Sequence, residues 1–276
     1  MTDPDPAVYL YLSLVIFLGG ACMGSFLNVC IHRIPRSESI VTPRSRCPEC
    51  RRPIPWHDNL PLISFFALRG RCRSCGARIS FRYVSVEALT AVLFTLVWWQ
   101  YGWSVITPIF WLVISGLILA TFVDLEHMII PDRVSLGGMA LGVLFSALVP
   151  ALHHVEHMTE SLKSSFFGLL VGAGSLWLVG VIGKWMFRKD AMGLGDVKLL
   201  GAIGAFTGWQ GVLFTVMISS LLGSIIGLSL IAFGGREWQS RVPYGPYLAL
   251  AAVLWILWGT AWWEAYVGWL AGSPDF

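Results

Sequence analysis

The sequence predicts an all-α polytopic membrane protein with about eight transmembrane helices and a small cytoplasmic zinc-binding loop domain. Three observations lead there. The 276 residues are 56% hydrophobic and only 13% charged, about half the charged share of a soluble domain, and the mean hydropathy is +0.69. Apolar runs near the roughly 20 residues that a bilayer crossing needs recur along the chain. Eleven of the nineteen Lys and Arg residues crowd between His32 and Arg82, which places that loop in the cytoplasm by the positive-inside rule.

Val8–Ile31 is the first expected span. The acidic Met1–Pro6 start lacks the basic flank of a signal peptide, so this run is expected to stay in place. Gly19-Gly20 and Gly24-Ser25 offer small surfaces for close helix packing, and Cys22 and Cys30 are expected as buried packing residues. Asn28 and the exit His32-Arg-Ile-Pro35 mark the cytoplasmic boundary. The loop to Arg82 carries only three acids, Glu38, Glu49 and Asp58. A basic loop can also signal nucleic acid, but with a membrane on both sides topology accounts for the charge and no nucleic-acid partner is expected.

Tyr83–Gln100 and Ser104–Val123 follow, with Trp98, Trp99, Tyr101 and Trp103 expected as an interfacial aromatic belt. Pro131 should end helical structure, with Asp132 the N-cap of a span over Arg133–Ala151. His153–Ser161 reads as an exposed external loop. Ser165–Phe187 returns inward, held by Lys184, Arg188 and Lys189. A short crossing, Val197–Phe206, and a longer one, Val212–Phe233, flank Thr207–Gly211. An inside loop over Gly234–Arg241 and a last span, Pro243–Trp263, complete the chain. That is eight spans with both ends outside. The expected division is a first transmembrane segment at 1–31, the four-cysteine loop at 32–82 and a multi-span core at 83–276.

Cys47-Pro-Glu-Cys50 and Cys72-Arg-Ser-Cys75 are separated by the 21 residues Arg51–Arg71. Disulfides are rare in a reducing cytosol, and two CxxC knuckles suit a tetrahedral ion, zinc before an iron–sulfur cluster. Four thiolates leave no open position, so the ion is expected to be structural. The redox alternative lacks a surrounding βαβ pattern.

Two carboxylates stand where apolar runs meet the inside: Asp124, in Asp124-Leu-Glu-His127, and Asp196, in Gly193-Leu-Gly-Asp196. A charge at such a position is costly and points to function. Together they could run peptide hydrolysis, one ionised to activate water and the other protonated to donate, because two close carboxylates do not both ionise easily. Gly193 and Gly195 remove side chains beside Asp196, so that a backbone can approach it. Interfacial aspartates also serve simply as helix caps, a role Asp132 is expected to take. Lys198 reads as a counter-ion or a snorkelling anchor.

With these residues assembled, the chain resembles the bacterial type IV prepilin peptidases, which are bifunctional leader peptidases and N-methyltransferases. The match runs through Gly24-Ser-Phe-Leu-Asn28, Arg33-Ile-Pro35, both CxxC pairs, Asn59-Leu-Pro61, Leu68-Arg-Gly-Arg-Cys72, Arg82-Tyr83 and Glu87. Asp124-Leu-Glu-His127, Pro131-Asp132, Gly193-x-Gly-Asp-Val-Lys198 and Pro243-Tyr-Gly-Pro-Tyr-Leu-Ala249 complete it. Val84 departs from the proline that the family usually has after Arg-Tyr. The resemblance implies a GxGD aspartic protease with Asp124 and Asp196 catalytic. It implies cleavage of type IV prepilins or pseudopilins after a glycine at the cytoplasmic face of the bacterial inner membrane. It also implies methylation of the new N-terminus with S-adenosylmethionine, whose site no glycine-rich loop reveals. Two other classes stand beside it: a transporter, which would carry its ionisable residues near mid-span, and a zinc-dependent assembly scaffold.

Overall fold

The computed structural model describes residues 5–188, 192–234, 243–270 and 272. Among them all regular structure is helical, with a largely irregular loop at 37–80 and no strand beyond two isolated bridges, Arg46 to Pro53 and Arg71 to Arg78. Two compact units divide the chain, residues 1–119 and 120–276. Six helices are long and apolar enough to cross a membrane, so this is a multi-pass membrane protein.

In the first unit, α1 (Pro6–Arg33) starts where Asp5 accepts a hydrogen bond from Ala7 N at 2.9 Å and Pro6 supplies a first-turn residue that needs no donor partner. A short helix, α2 (Ile63–Ala67), follows in the loop, and Ser80 caps α3 (Phe81–Tyr101). Small residues let α1 and α3 touch backbone to backbone. A Cβ added at Gly20 would lie 2.8 Å from Ala91 Cα, and one at Gly24 would lie 2.6 Å from Glu87 Cα. That seam buries Gly20, Ala21, Gly24, Leu27, Asn28 and Ile31. Cys30 shares the buried surface, but Cys22 lies off the seam and is exposed, contrary to expectation. The aromatic belt also needs correcting. Trp99 and Trp103 are exposed, whereas Trp98 is 2% exposed, stacked on Tyr9 and met edge-on by Trp103. The first part of α4 (Ile106–His127) closes this unit, with Trp111 stacked on Phe94 and donating to its carbonyl at 3.0 Å.

The second unit holds the end of α4, then α5 (Asp132–Leu148), α6 (Met158–Phe187), α7 (Leu194–Gly234) and α8 (Gly245–Leu270). Here α7 is the central element, packed on α5, α6 and α8. Glycines again set the spacing: Gly168 of α6 meets the Gly204 backbone, and Gly142 of α5 meets Ala205. Inside α7, Gly208 takes φ 70° and ψ −178°, which breaks the helix into arms at 194–207 and 209–234. Glycine reaches that conformation without steric cost. The two arms are the short and long crossings expected around Thr207–Gly211. The 17-residue α5 and the divided α7 bring the six long helices to the eight expected.

Three expectations change. Pro131 occupies the N-cap of α5 and Asp132 is its first helical residue, with no side-chain cap. The loop before α6 is shorter than expected, because Met158 already begins the helix. Within it His153 is half-buried, bonded through Nε2 to Ser146 Oγ at 2.9 Å and through Nδ1 to Ser164 Oγ at 3.2 Å. Burial against these hydroxyls lowers its pKa to about 4. Lys189 and the expected inside loop at 235–241 lie outside the described residues.

Candidate active site and metal centre

Asp124 sits in the last turn of α4 and is 5% exposed. The helix stops just beyond it, where Met128 turns left-handed (φ 54°) and bonds back to Asp124 O at 2.9 Å. The chain then passes through Ile129 and Ile130 to Pro131 and α5. Asp196 lies in the first turn of α7.

A glycine backbone holds each carboxylate. Gly245 N, at the start of α8, donates to Asp124 Oδ2 at 3.0 Å, and the Gly193 backbone N–H bonds the Asp196 carboxylate. A Cβ at Gly245 would stand 2.7 Å from Asp124 Oδ2, and one at Gly193 would stand 2.9 Å from Asp196 Oδ2. Neither position accommodates a side chain without moving its carboxylate. Ile130 wedges the three helix ends together, because a Cβ at Gly195 would lie 3.2 Å from its Cβ and one at Gly245 would lie 3.3 Å from its Cδ1. The aspartates are close enough for the Asp124 charge to act on Asp196. Asp196 Oδ1 is buried without a hydrogen-bond partner. Such an acceptor is expensive to leave unpaired, and it suits a water molecule or a substrate donor.

The neighbouring charges have other engagements. Lys198 Nζ donates to Asp132 Oδ1 at 2.7 Å, with Asp132 side-chain exposure of 62%. Lys198 is therefore a counter-ion for Asp132. Glu126 lies 4.0 Å from His127 Nε2. Sequence reasoning gave Gly245 and Ile130 no role. The signal available was the glycine inside Pro243-Tyr-Gly-Pro246, a residue type that permits close backbone approach.

In the loop, the Sγ atoms of Cys47, Cys50, Cys72 and Cys75 all lie within 4.8 Å of one another, and Cys47 and Cys75 are 3.8 Å apart. Sulfurs at about 2.3 Å around a tetrahedral zinc are about 3.8 Å apart, so the donor set fits a closed metal site. The knuckles are built alike. Arg51 N bonds Cys47 O at 2.9 Å and Cys47 N bonds Arg52 O at 3.0 Å; Gly76 N bonds Cys72 O at 2.9 Å and Cys72 N bonds Ala77 O at 2.8 Å. Each knuckle turns on a left-handed residue, Arg51 (φ 56°) or Gly76 (φ 73°). Hydrogen bonds from the backbone N–H groups of Cys75 and Ser74 bring the Cys72 thiol down to about 7, towards the thiolate that a metal requires. Arg73 braces the site by gripping Asp58 with Nε to Oδ2 at 2.8 Å and Nη2 to Oδ1 at 2.7 Å. This pairing holds the Asp58 carboxyl below its usual range.

The second unit gathers two carboxylates at helix ends and the first gathers four thiols in a loop, on a chain whose long apolar helices make it a membrane protein. Residues 18–101 match the family model of the bacterial peptidase A24 N-terminal domain, and residues 111–228 match that of the type IV leader peptidase family. A prepilin leader peptidase/N-methyltransferase of Aeromonas hydrophila is 38% identical, with 91% of this chain and 92% of the relative covered. Proteins of the same description from Pseudomonas aeruginosa (35%; 89% and 90% covered) and Neisseria gonorrhoeae (34%; 91% and 92%) are similar over the same extent. No solved structure matches the chain. The chain belongs to the type IV leader peptidase family and is a membrane aspartic endopeptidase.

Proposed function

We propose that this protein removes the leader of type IV prepilins or pseudopilins after a glycine, using Asp124 and Asp196 as a dyad, and then methylates the new N-terminal residue. The observation that carries the peptidase half is the pair of glycine-flanked carboxylates, close enough for the charge of Asp124 to act on Asp196. In such a pair the ionised carboxylate takes a proton from water as the oxygen attacks the scissile carbonyl. Its protonated partner donates to the carbonyl oxygen. Collapse of the tetrahedral intermediate returns that proton to the carboxylate, and the leaving amine takes a proton from the dyad. The pair titrates as one unit, so the two roles are not divided between the residues. With no side chain at Gly193, an extended substrate backbone can reach Asp196, while the space beside Gly195 is taken by Ile130.

The arginine-rich loop between His32 and Arg82, together with the parity of the spans, supports a site facing the cytoplasm of the bacterial inner membrane. Cys47, Cys50, Cys72 and Cys75 would hold a structural Zn2+, which when bound clamps the two knuckles. In this reading residues 32–82 form the metal loop between the first span, 1–31, and the protease core, 83–276. The methyl step rests on the shared description of the relatives, which are N-methyltransferases as well as leader peptidases. S-adenosylmethionine would supply an electrophilic methyl group.

Mass spectrometry of a prepilin incubated in detergent with the purified protein and S-adenosylmethionine tests both halves. Loss of the leader and gain of one methyl group is the expected result. An intact precursor alongside folded protein would reject the reading, and leader loss without the methyl would remove its second half.

A further inference from the structure

A cavity of about 360 Å³ opens in the first unit between the α1–α3 seam and the metal loop. That is within the size range of small-ligand sites, about 300–1,000 Å³. We propose that this cavity is the methyl-donor site, with Asn28 and Glu87 receiving the cationic and hydrogen-bond-donating groups of S-adenosylmethionine and exposed arginines of its lining receiving the donor's carboxylate. The proposal rests on the methyltransferase half of the function proposed above.

Asn28 is the first support. It is 3% exposed, and its Nδ2 donates to Tyr83 O at 2.9 Å. A carbonyl only accepts, so the amide nitrogen must face Tyr83 and Oδ1 must point away. Oδ1 is buried with no hydrogen-bond partner, on a residue that lines the cavity. A buried acceptor left in this state calls for a donor from outside the chain.

Glu87 is the second. Its Oε2 accepts from Leu62 N at 2.8 Å, and the Ser25 hydroxyl bonds the same carboxylate. Among the described residues no cation stands within ion-pair distance of it. A half-buried carboxylate without a counter-ion suits a cationic ligand. The chain accepts strain to hold it there, because Leu62 is a non-glycine residue at φ 62° and ψ −53°, and local strain of this kind gathers at functional sites.

The cavity lining also carries positive charge. Exposed Arg46, Arg52 and Arg78 line the cavity, while Arg73 is already paired with Asp58. A ligand that carries a sulfonium, an ammonium and a carboxylate matches a lining that holds both signs of charge. A free peptide amine would use only the acceptors Asn28 and Glu87. The metal site adjoins the cavity, since Cys47 and Cys72 also line it, so the knuckles would fix the position of the arginines next to them.

The test uses the purified, metal-loaded full chain in detergent, without pilin. Calorimetric titration with S-adenosylmethionine should show binding, weakened about 10- to 100-fold in Glu87→Gln and in Asn28→Leu, the range for loss of one hydrogen bond to a charged group. Metal content and thermal midpoint establish that each variant is folded. Ultraviolet cross-linking of labelled S-adenosylmethionine to the wild type, followed by peptide mapping, should place the label within residues 25–87. Label confined to residues 120–270, or unaltered affinity in two folded variants, would overturn the site while leaving the methyltransferase reading intact. A wild type that neither binds S-adenosylmethionine nor methylates a cleaved pilin would bring down that reading, and this proposal with it.

Discussion

Gly245 N stands 3.0 Å from Asp124 Oδ2, so the first turn of α8 hydrogen-bonds the carboxylate at the end of α4 across 121 residues of sequence. A methyl group at this glycine would come within 2.7 Å of the same oxygen. One position therefore both donates to the aspartate and leaves room for it.

Gly245→Ala should move the Asp124 carboxylate without unfolding the protein. A displacement of about 1 Å at a reacting group can cost about 100-fold in rate, so leader removal should slow by at least that factor. Initial rates of precursor cleavage, with thermal unfolding as the control, check this. A wild-type rate would show that the close approach is not functionally required.

Metal removal should act locally. Cys72→Ser or a strong chelator is expected to release about one zinc per chain and to raise hydrogen exchange across the two knuckles. Elemental analysis and exchange mass spectrometry give the answer. Purified protein with no metal and an equally protected loop would contradict the zinc assignment.

His153 should make the second unit sensitive to acid. Its folded pKa, about 4, lies below the ordinary 6.5, so the fold prefers the neutral ring. Its contribution is complete above pH 6.5 and is lost as pH falls towards 4, because the unfolded chain takes up a proton that the folded chain refuses. The drop from 6.5 to about 4 corresponds to roughly 3 kcal/mol. The thermal midpoint should fall between pH 7 and pH 5, and His153→Gln should flatten that dependence. Equal pH dependence in the variant would assign the effect to other groups.

Gly24→Val should disturb the first unit. The added carbons would collide with the Glu87 backbone, 2.6 Å from a Cβ at this position. Overpacking of this kind costs typically about 1–3 kcal/mol. A lower thermal midpoint is expected, together with weaker binding of S-adenosylmethionine. A fully stable variant would show that the α1–α3 seam can open without penalty.

Much of this architecture was legible in the residues themselves. Hydropathy located the spans, and CxxC spacing located the four thiols that gather in the loop, because both signals are local. Asp124 and Asp196 stood out because a charge next to an apolar run is costly. What stayed hidden depends on contacts between distant segments. Nothing near Gly245 in the sequence says that Asp124 lies against it. Trp98 resembled its exposed neighbours until Tyr9 covered it, and His153 resembled a loop residue until Ser146 and Ser164 enclosed it. Asn28 marked only a boundary, since its orphaned oxygen exists only once Tyr83 has claimed the amide nitrogen.

The most direct measurement compares leader cleavage of a prepilin by the wild type, Asp124→Asn and Asp196→Asn, read by mass spectrometry on folded protein in the same detergent. Each substitution keeps the size of the side chain but removes the titratable carboxyl and its charge. Loss of a general acid or base costs about 100- to 10,000-fold, so both variants should leave the precursor essentially intact at wild-type metal content. Cleavage near the wild-type rate in either variant would contradict the dyad.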